Sequence, residues 1–100
     1  MGRIIWTPQS QNDLRSIYNY IASDSKRYAL REVRAIKNSV GVLSSFQKSG
    51  KVFDELDNTS IREIVYKHYR VIYKIVNDNQ VDILTVHHGA RSIPKRKLKF

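Results

Sequence analysis

The chain has 100 residues, 41% of them hydrophobic, enough for one domain with a modest core, and no proline- or glycine-rich linker divides it. Lys and Arg number 18 against 9 Asp and Glu, and the net charge of +9 favours a polyanionic partner such as RNA, DNA, a ribosome or an acidic protein. The lack of cysteine excludes a disulfide framework and a thiolate metal site, and the lack of a long apolar run argues against a signal segment or a membrane span, so a cytoplasmic protein is expected.

Arg3 to Trp6 is a short β-prone run that stops at Thr7-Pro8, where a Thr cap followed by Pro at the first helical position opens a helix. Leu14, Ile17, Tyr18 and Ile21 form its apolar face, and it ends near Ser23 to Lys26. A second helix carries Ala29, Val33, Ile36, Val40 and Leu43 at steps of four and three, with Arg31, Arg34 and Lys37 elsewhere on its surface. A short connection predicts that the two pack as an antiparallel hairpin.

From Phe46 to Ser60 the helical period is lost, and the reading is a loop with a short strand at Lys51 to Phe53. Asn58-Thr59-Ser60 matches a glycosylation sequon, which without a secretory signal is coincidence. Beyond it the period becomes two: IREIVY, RVIYKIV and VDILTVHH are β-branched or aromatic runs joined by turns at Lys67-His68 and Asp78-Asn79. The expected order is β-α-α-β-β-β. This is an α+β domain: an N-terminal strand and a two-helix antiparallel hairpin packed on one face of a mainly antiparallel three- to four-stranded sheet. Residues 1–100 form one domain, and 92–100 are a basic tail that either follows phosphates or frays in solvent.

Counting outward from the two turns sets Val65 opposite Arg70, Glu63 opposite Ile72, and Arg70 opposite His87. One sheet face then carries Arg62, Ile64, Tyr66, Val71, Tyr73, Ile75, Leu84 and Val86, and reads as core. The other carries Ile61, Glu63, Val65, Arg70, Ile72, Lys74, Ile83, Thr85 and His87. A slip of one residue exchanges His87 for His88, so both are retained as candidates, and Arg91 beyond Gly89 can fold back over the same surface.

Glu63, Arg70, His87 or His88, and Arg91 admit two chemistries. A Glu or His base with arginines on phosphate suffices for metal-free RNA cleavage by the 2′-OH. The same residues can instead only bind, with Glu63 orienting Arg70; a third reading makes them ordinary solvent-facing pairs. Neighbouring strand residues point to opposite faces, so His87 and His88 cannot chelate one ion, and no metal or cofactor is expected. Tyr66, Tyr69 and Tyr73 suit core or rim packing better than base stacking.

The stretch IIWTPQSQNDLRSIYNYI, the Tyr69-Arg70 lead of an apolar strand and the closing His88-Gly89-Ala90-Arg91 together resemble the RelE/ParE superfamily of toxins from bacterial type II toxin-antitoxin modules. The resemblance spans nearly the whole chain. It implies growth arrest, a role in plasmid stabilization, and neutralisation by a small acidic or amphipathic antitoxin in a hetero-oligomer. ParE-like members poison DNA gyrase, whereas RelE-like members are mRNA interferases that cut message in the ribosomal A site. One ribonuclease branch uses a basic strand residue, two arginines and a late tyrosine. Arg70 and Arg91 match its arginines, but Glu63 stands for the basic residue and Lys95-Arg96-Lys97 occupy the tyrosine's region. A Glu, Arg, His branch is matched by Glu63 or Glu55, Arg70, and His87 or His88, yet Gly89 replaces its aromatic residue.

The HGAR ending is closer to the ParE-like group. The expectation is therefore gyrase interference, with Arg70, Lys74, Arg91, Lys95, Arg96 and Lys97 binding the target. The alternative is a metal-free endoribonuclease using Glu63, Arg70, His87, His88 and Arg91, and a third reading is a non-catalytic nucleic-acid-binding module.

Overall fold

The computed structural model describes residues 2–53, 58–89 and 93–98, with Lys95 described by its backbone alone. Strand β1 (Arg3–Trp6) leads into helix α1 (Pro8–Ala22) and helix α2 (Lys26–Ser39). Two 3₁₀ turns, Gly41–Ser44 and Gln47–Ser49, then lead to β2 (Lys51–Val52), β3 (Ile61–Tyr66), β4 (Tyr69–Asn77) and β5 (Gln80–His88), and a last 3₁₀ turn spans Lys95–Leu98. The sheet order is β1-β5-β4-β3-β2. It holds five strands, more than the three to four expected, because β2 is a true if minimal strand and β1 joins the far edge parallel to β5.

Both helices start as their sequences dictate. Thr7 caps α1 by accepting from Ser10 N at 3.2 Å with Pro8 behind it, and Ser25 caps α2 by accepting from Tyr28 N at 3.1 Å. The Thr7 hydroxyl also donates to the Ile83 carbonyl at 2.7 Å, so the cap ties the helix entry to the sheet. The apolar stripes of α1 and α2 close over one face of the sheet. Leu14 and Ile36 pack there with Val71, Tyr73, Val81, Ile83 and Val86. Val40 and Leu43 join them, but they lie beyond the end of α2 at Ser39, as its C-cap and in the following 3₁₀ turn, and not on the helix as expected.

The β3–β4 and β4–β5 turns give Glu63 opposite Ile72, Val65 opposite Arg70, and Arg70 opposite His87, as counting from the turns predicts. Two irregularities in the β4–β5 ladder cancel. Val76 is passed over between Ile75 and Asn77, and Leu84 is passed over where Tyr73 pairs Ile83 and Ile72 pairs Thr85. Between them the faces are exchanged: Ile83 joins the helix-side core and Leu84 the opposite one, the reverse of simple alternation. Thr85 turns its hydroxyl to Asp13 of α1.

The sheet face away from the helices is also partly covered. Ile93 and Leu98 are buried there with Phe53, Ile61, Ile72 and Leu84. Residues 93–98 therefore do not fray as a basic tail; two apolar side chains among the lysines fold the segment back onto the sheet. Among the described residues no helix is long and apolar enough to cross a membrane.

Candidate functional site

Beside that second apolar cluster the face opens into a groove of about 470 Å³ lined by Lys51, Glu63, Val65, Lys67, His68, Arg70 and Gly89. Its floor is set by the β3–β4 ladder, which puts Glu63 and Arg70 on one face of adjacent strands. Glu63 is buried, and both of its oxygens are engaged. Arg70 reaches Oε2 through Nε and Nη2, each at 2.9 Å, while Lys51 Nζ lies 3.2 Å from Oε1. The Arg70 guanidinium also stands 5.5 Å from the centre of the Phe53 ring, a cation–π contact from the apolar side. A carboxylate held at both ends by cations positions those cations.

His87 pairs with Arg70 across the β4–β5 ladder and so shares its face, with Nε2 closed off from solvent. His88 lies on the other face. Its ring is 5.1 Å from Tyr69 and 6.2 Å from His68, and with Ser16, Ile17, Tyr20 and Tyr69 it lines a separate depression of about 300 Å³. Lys74 is on the groove's face but four residues from Arg70, about 13 Å along the strand, and does not line the groove. Arg96 is exposed, and Lys97 turns to Asp13, with 3.6 Å from Nζ to Oδ1. Arg91, Glu55 and the Lys95 side chain lie outside the described residues.

The hairpin tip supplies the groove's rim at a conformational cost. Lys67 takes φ 53°, a left-handed geometry that costs a side-chain-bearing residue on the order of 1 kcal/mol. Its ammonium stands 5.4 Å from the centre of the Tyr66 ring and 3.5 Å from the buried Glu32 of α2, and Tyr66 first and Glu32 second raise its pKa above the usual lysine value. Gly89, at φ +90°, closes the other rim, and its N–H donates to the His68 carbonyl at 2.7 Å. Burial pushes the Tyr69 hydroxyl up, with Glu32 adding to the shift.

Sequence reasoning missed two buried acids. Asp13 accepts from the Val86 N–H at 3.0 Å and from the Thr85 hydroxyl, at the place where β1 has left the edge of β5. Glu32 braces the turn that carries Lys67. A signal existed for both: Ser10 and Asp13 fall on the apolar stripe of α1, and Glu32 falls between Ala29 and Ile36 on that of α2. Lys51, the second partner of Glu63, lies in the short strand expected at Lys51 to Phe53, but no period fixes the register that sets it opposite Glu63. No cluster of metal-ligating side chains occurs among the described residues.

A family model described as the ParE toxin of the type II toxin-antitoxin system parDE matches residues 4–93. The chain belongs to this family. A search of curated proteins finds no match. Among solved structures, the chromosomal ParDE toxin-antitoxin system of P. aeruginosa is similar with a TM-score of 0.73 at 19% identity, covering 90% of this chain and 98% of that one. The RelBE2 toxin-antitoxin complex of Mycobacterium tuberculosis follows with a TM-score of 0.60 at 21% identity, over 87% of this chain and 96% of that one. The YoeB dimer of Staphylococcus aureus gives 0.52 at 16% identity, over 89% and 98%. At these identities the structures speak to the fold.

Proposed function

We propose, from membership of the ParE toxin family, that this chain arrests growth as a toxin by occupying DNA gyrase through the Arg70 groove, and that a cognate antitoxin neutralises it. The observation that supports binding over cleavage is Glu63, whose two oxygens are both taken by Lys51 and Arg70. The groove then presents oriented cations on a rigid sheet, which suits recognition of an acidic or phosphate-bearing surface. The burial of His87 Nε2 points the same way, since a general base must reach the proton it removes.

The relatives described as ParDE and RelBE2 are themselves toxin-antitoxin assemblies, which supports the antitoxin as partner. The test is expression of the chain alone, following plasmid supercoiling and ribosome-associated message in the same cultures. Loss of supercoiling with intact message is expected, and Arg70→Ala should restore growth. Codon-dependent message cleavage with gyrase untouched would replace this reading by a metal-free ribonuclease.

A further inference from the structure

Arg70 is the least exposed cation of its groove. Its side chain is 17% exposed, against 71% for Lys51 and 53% for Lys67, so its surroundings decide where the guanidinium points. Two of its contacts go to Glu63, and another is of a different kind: the ring of Phe53, whose centre lies 5.5 Å away. Phe53 is fully buried and does not line the groove.

The short strand β2 brings two groups to the ion pair at once. Lys51 stands opposite Glu63, and the Phe53 N–H donates to the Ile61 carbonyl at 2.9 Å, so the pairing runs on one residue past Val52. Residues two apart in an extended segment face the same way, which sends Lys51 to Glu63 and Phe53 to Arg70 from one side of the sheet. The near end of this segment is anchored by hydrogen bonds: the Gly50 carbonyl accepts from Arg62 Nη1 at 2.8 Å, and the Gly50 N–H donates to the Tyr73 hydroxyl at 3.0 Å. The far end is held by packing, since Phe53 lies in one apolar cluster with Ile61, Ile72, Leu84, Ile93 and Leu98. Lys97, 3.6 Å from Asp13, ties the turn that carries Leu98 to α1.

From this we propose that Phe53 is a positioning residue of the groove: its ring, packed in the cluster that Ile93 and Leu98 complete, keeps the Arg70 guanidinium in its pair with Glu63 and so sets the groove's affinity for its target without lining it. The face of an aromatic ring attracts a guanidinium, and more strongly where water is excluded, as it is around Phe53. A guanidinium held in place before binding has little freedom left to lose when an anionic group arrives. The proposal rests on the reading of the Arg70 groove as the target-binding surface, but the order of Arg70 itself can be measured with no target present.

The test compares the full wild-type chain with Phe53→Leu, with Leu98→Ala, and with a chain carrying trifluorophenylalanine in place of Phe53, which keeps the ring's shape and weakens its negative face. Two quantities are read: solvent exchange of the Arg70 Nε–H by NMR, and inhibition of gyrase supercoiling by the purified chain. Exchange should be slow in the wild type, about tenfold faster in Phe53→Leu and severalfold faster in the other two, with inhibition weakened in the same order. The fluorinated chain should keep an unfolding midpoint near that of the wild type, which separates the ring's attraction for the cation from its packing. Unchanged Arg70 exchange in Phe53→Leu and in the fluorinated chain overturns the proposal. So does faster exchange with inhibition at the wild-type level, because Phe53 then orders Arg70 without setting affinity. Faster exchange in the variants of a chain whose wild type leaves gyrase untouched supports Phe53 as the residue that holds Arg70 and overturns the target assigned to the groove.

Discussion

The two faces of one sheet are built on different principles. On the helix side, Ile36, Val40, Leu43, Val71, Tyr73 and Ile83 form a continuous, fully buried apolar layer. On the other side an apolar patch of Phe53, Ile61, Ile72 and Leu84 is roofed by Ile93 and Leu98. It gives way within a strand or two to the charged groove around Glu63 and Arg70. The first face is held by packing among long elements; the second depends on a short terminal turn and on ion pairs. The proposed function thus falls on the face that depends less on packing.

The sharpest test of that contrast is a pair of truncations. Ile36→Ala should cost about 3–4 kcal/mol by opening a cavity between well-fixed helices and strands, measured by denaturant unfolding. Leu98→Ala, under a turn near the end of the chain that can settle into the space, should cost about 2 kcal/mol. Equal losses would mean that both faces belong to one cooperative core and would break the comparison.

Tyr73→Phe is expected to be smaller again, about 1–2 kcal/mol. The Tyr73 hydroxyl donates to the Gln47 carbonyl at 2.6 Å and accepts from Gly50 N at 3.0 Å, so its loss loosens the connector into β2 without opening a void. Gly50 allows that approach, since an added Cβ would lie 2.5 Å from the Glu63 carbonyl oxygen. The effect of pH follows from the same side chain. Burial raises the Tyr73 hydroxyl above its ordinary value of 10.0, so the folded state holds this proton more tightly than the unfolded one. Its contribution is complete below pH 10 and is lost as pH climbs from there through the folded value; Tyr69, also raised by burial, acts in the same direction. A pH titration of the unfolding midpoint should therefore fall above about pH 10, and Tyr73→Phe should fall less steeply.

Much of the helix-side architecture was legible because it is local. The Thr7-Pro8 opening, the Ala29 to Leu43 spacing and the two turns each depend on residues a few positions apart. Even the pairing of Arg70 with His87 was readable, although for a reason no sequence pattern reveals: the irregularities at Val76 and Leu84 are equal and opposite. What escaped is non-local. Ile93 and Leu98 were outweighed by the lysines and arginine around them, and nothing in their spacing says that a sheet surface waits for them. The second cation on Glu63 comes from the short strand the sequence places at Lys51, but its pairing with Glu63 is set by a long loop and not by any local period, and Asp13 finds its partners more than 70 residues away.

That last contact bears on how the molecule avoids its own kind. Where β1 ends, β5 would present the Val86 N–H outward, the sort of unpaired donor on which strands of neighbouring molecules assemble into fibres. Asp13 occupies that donor with a single oxygen, under the cover of α1. On the opposite flank β2 offers only Lys51 and Val52, with an ammonium at its exposed end. A carboxylate on one border and a two-residue, charged strand on the other shorten the edges from which intermolecular β-pairing can grow.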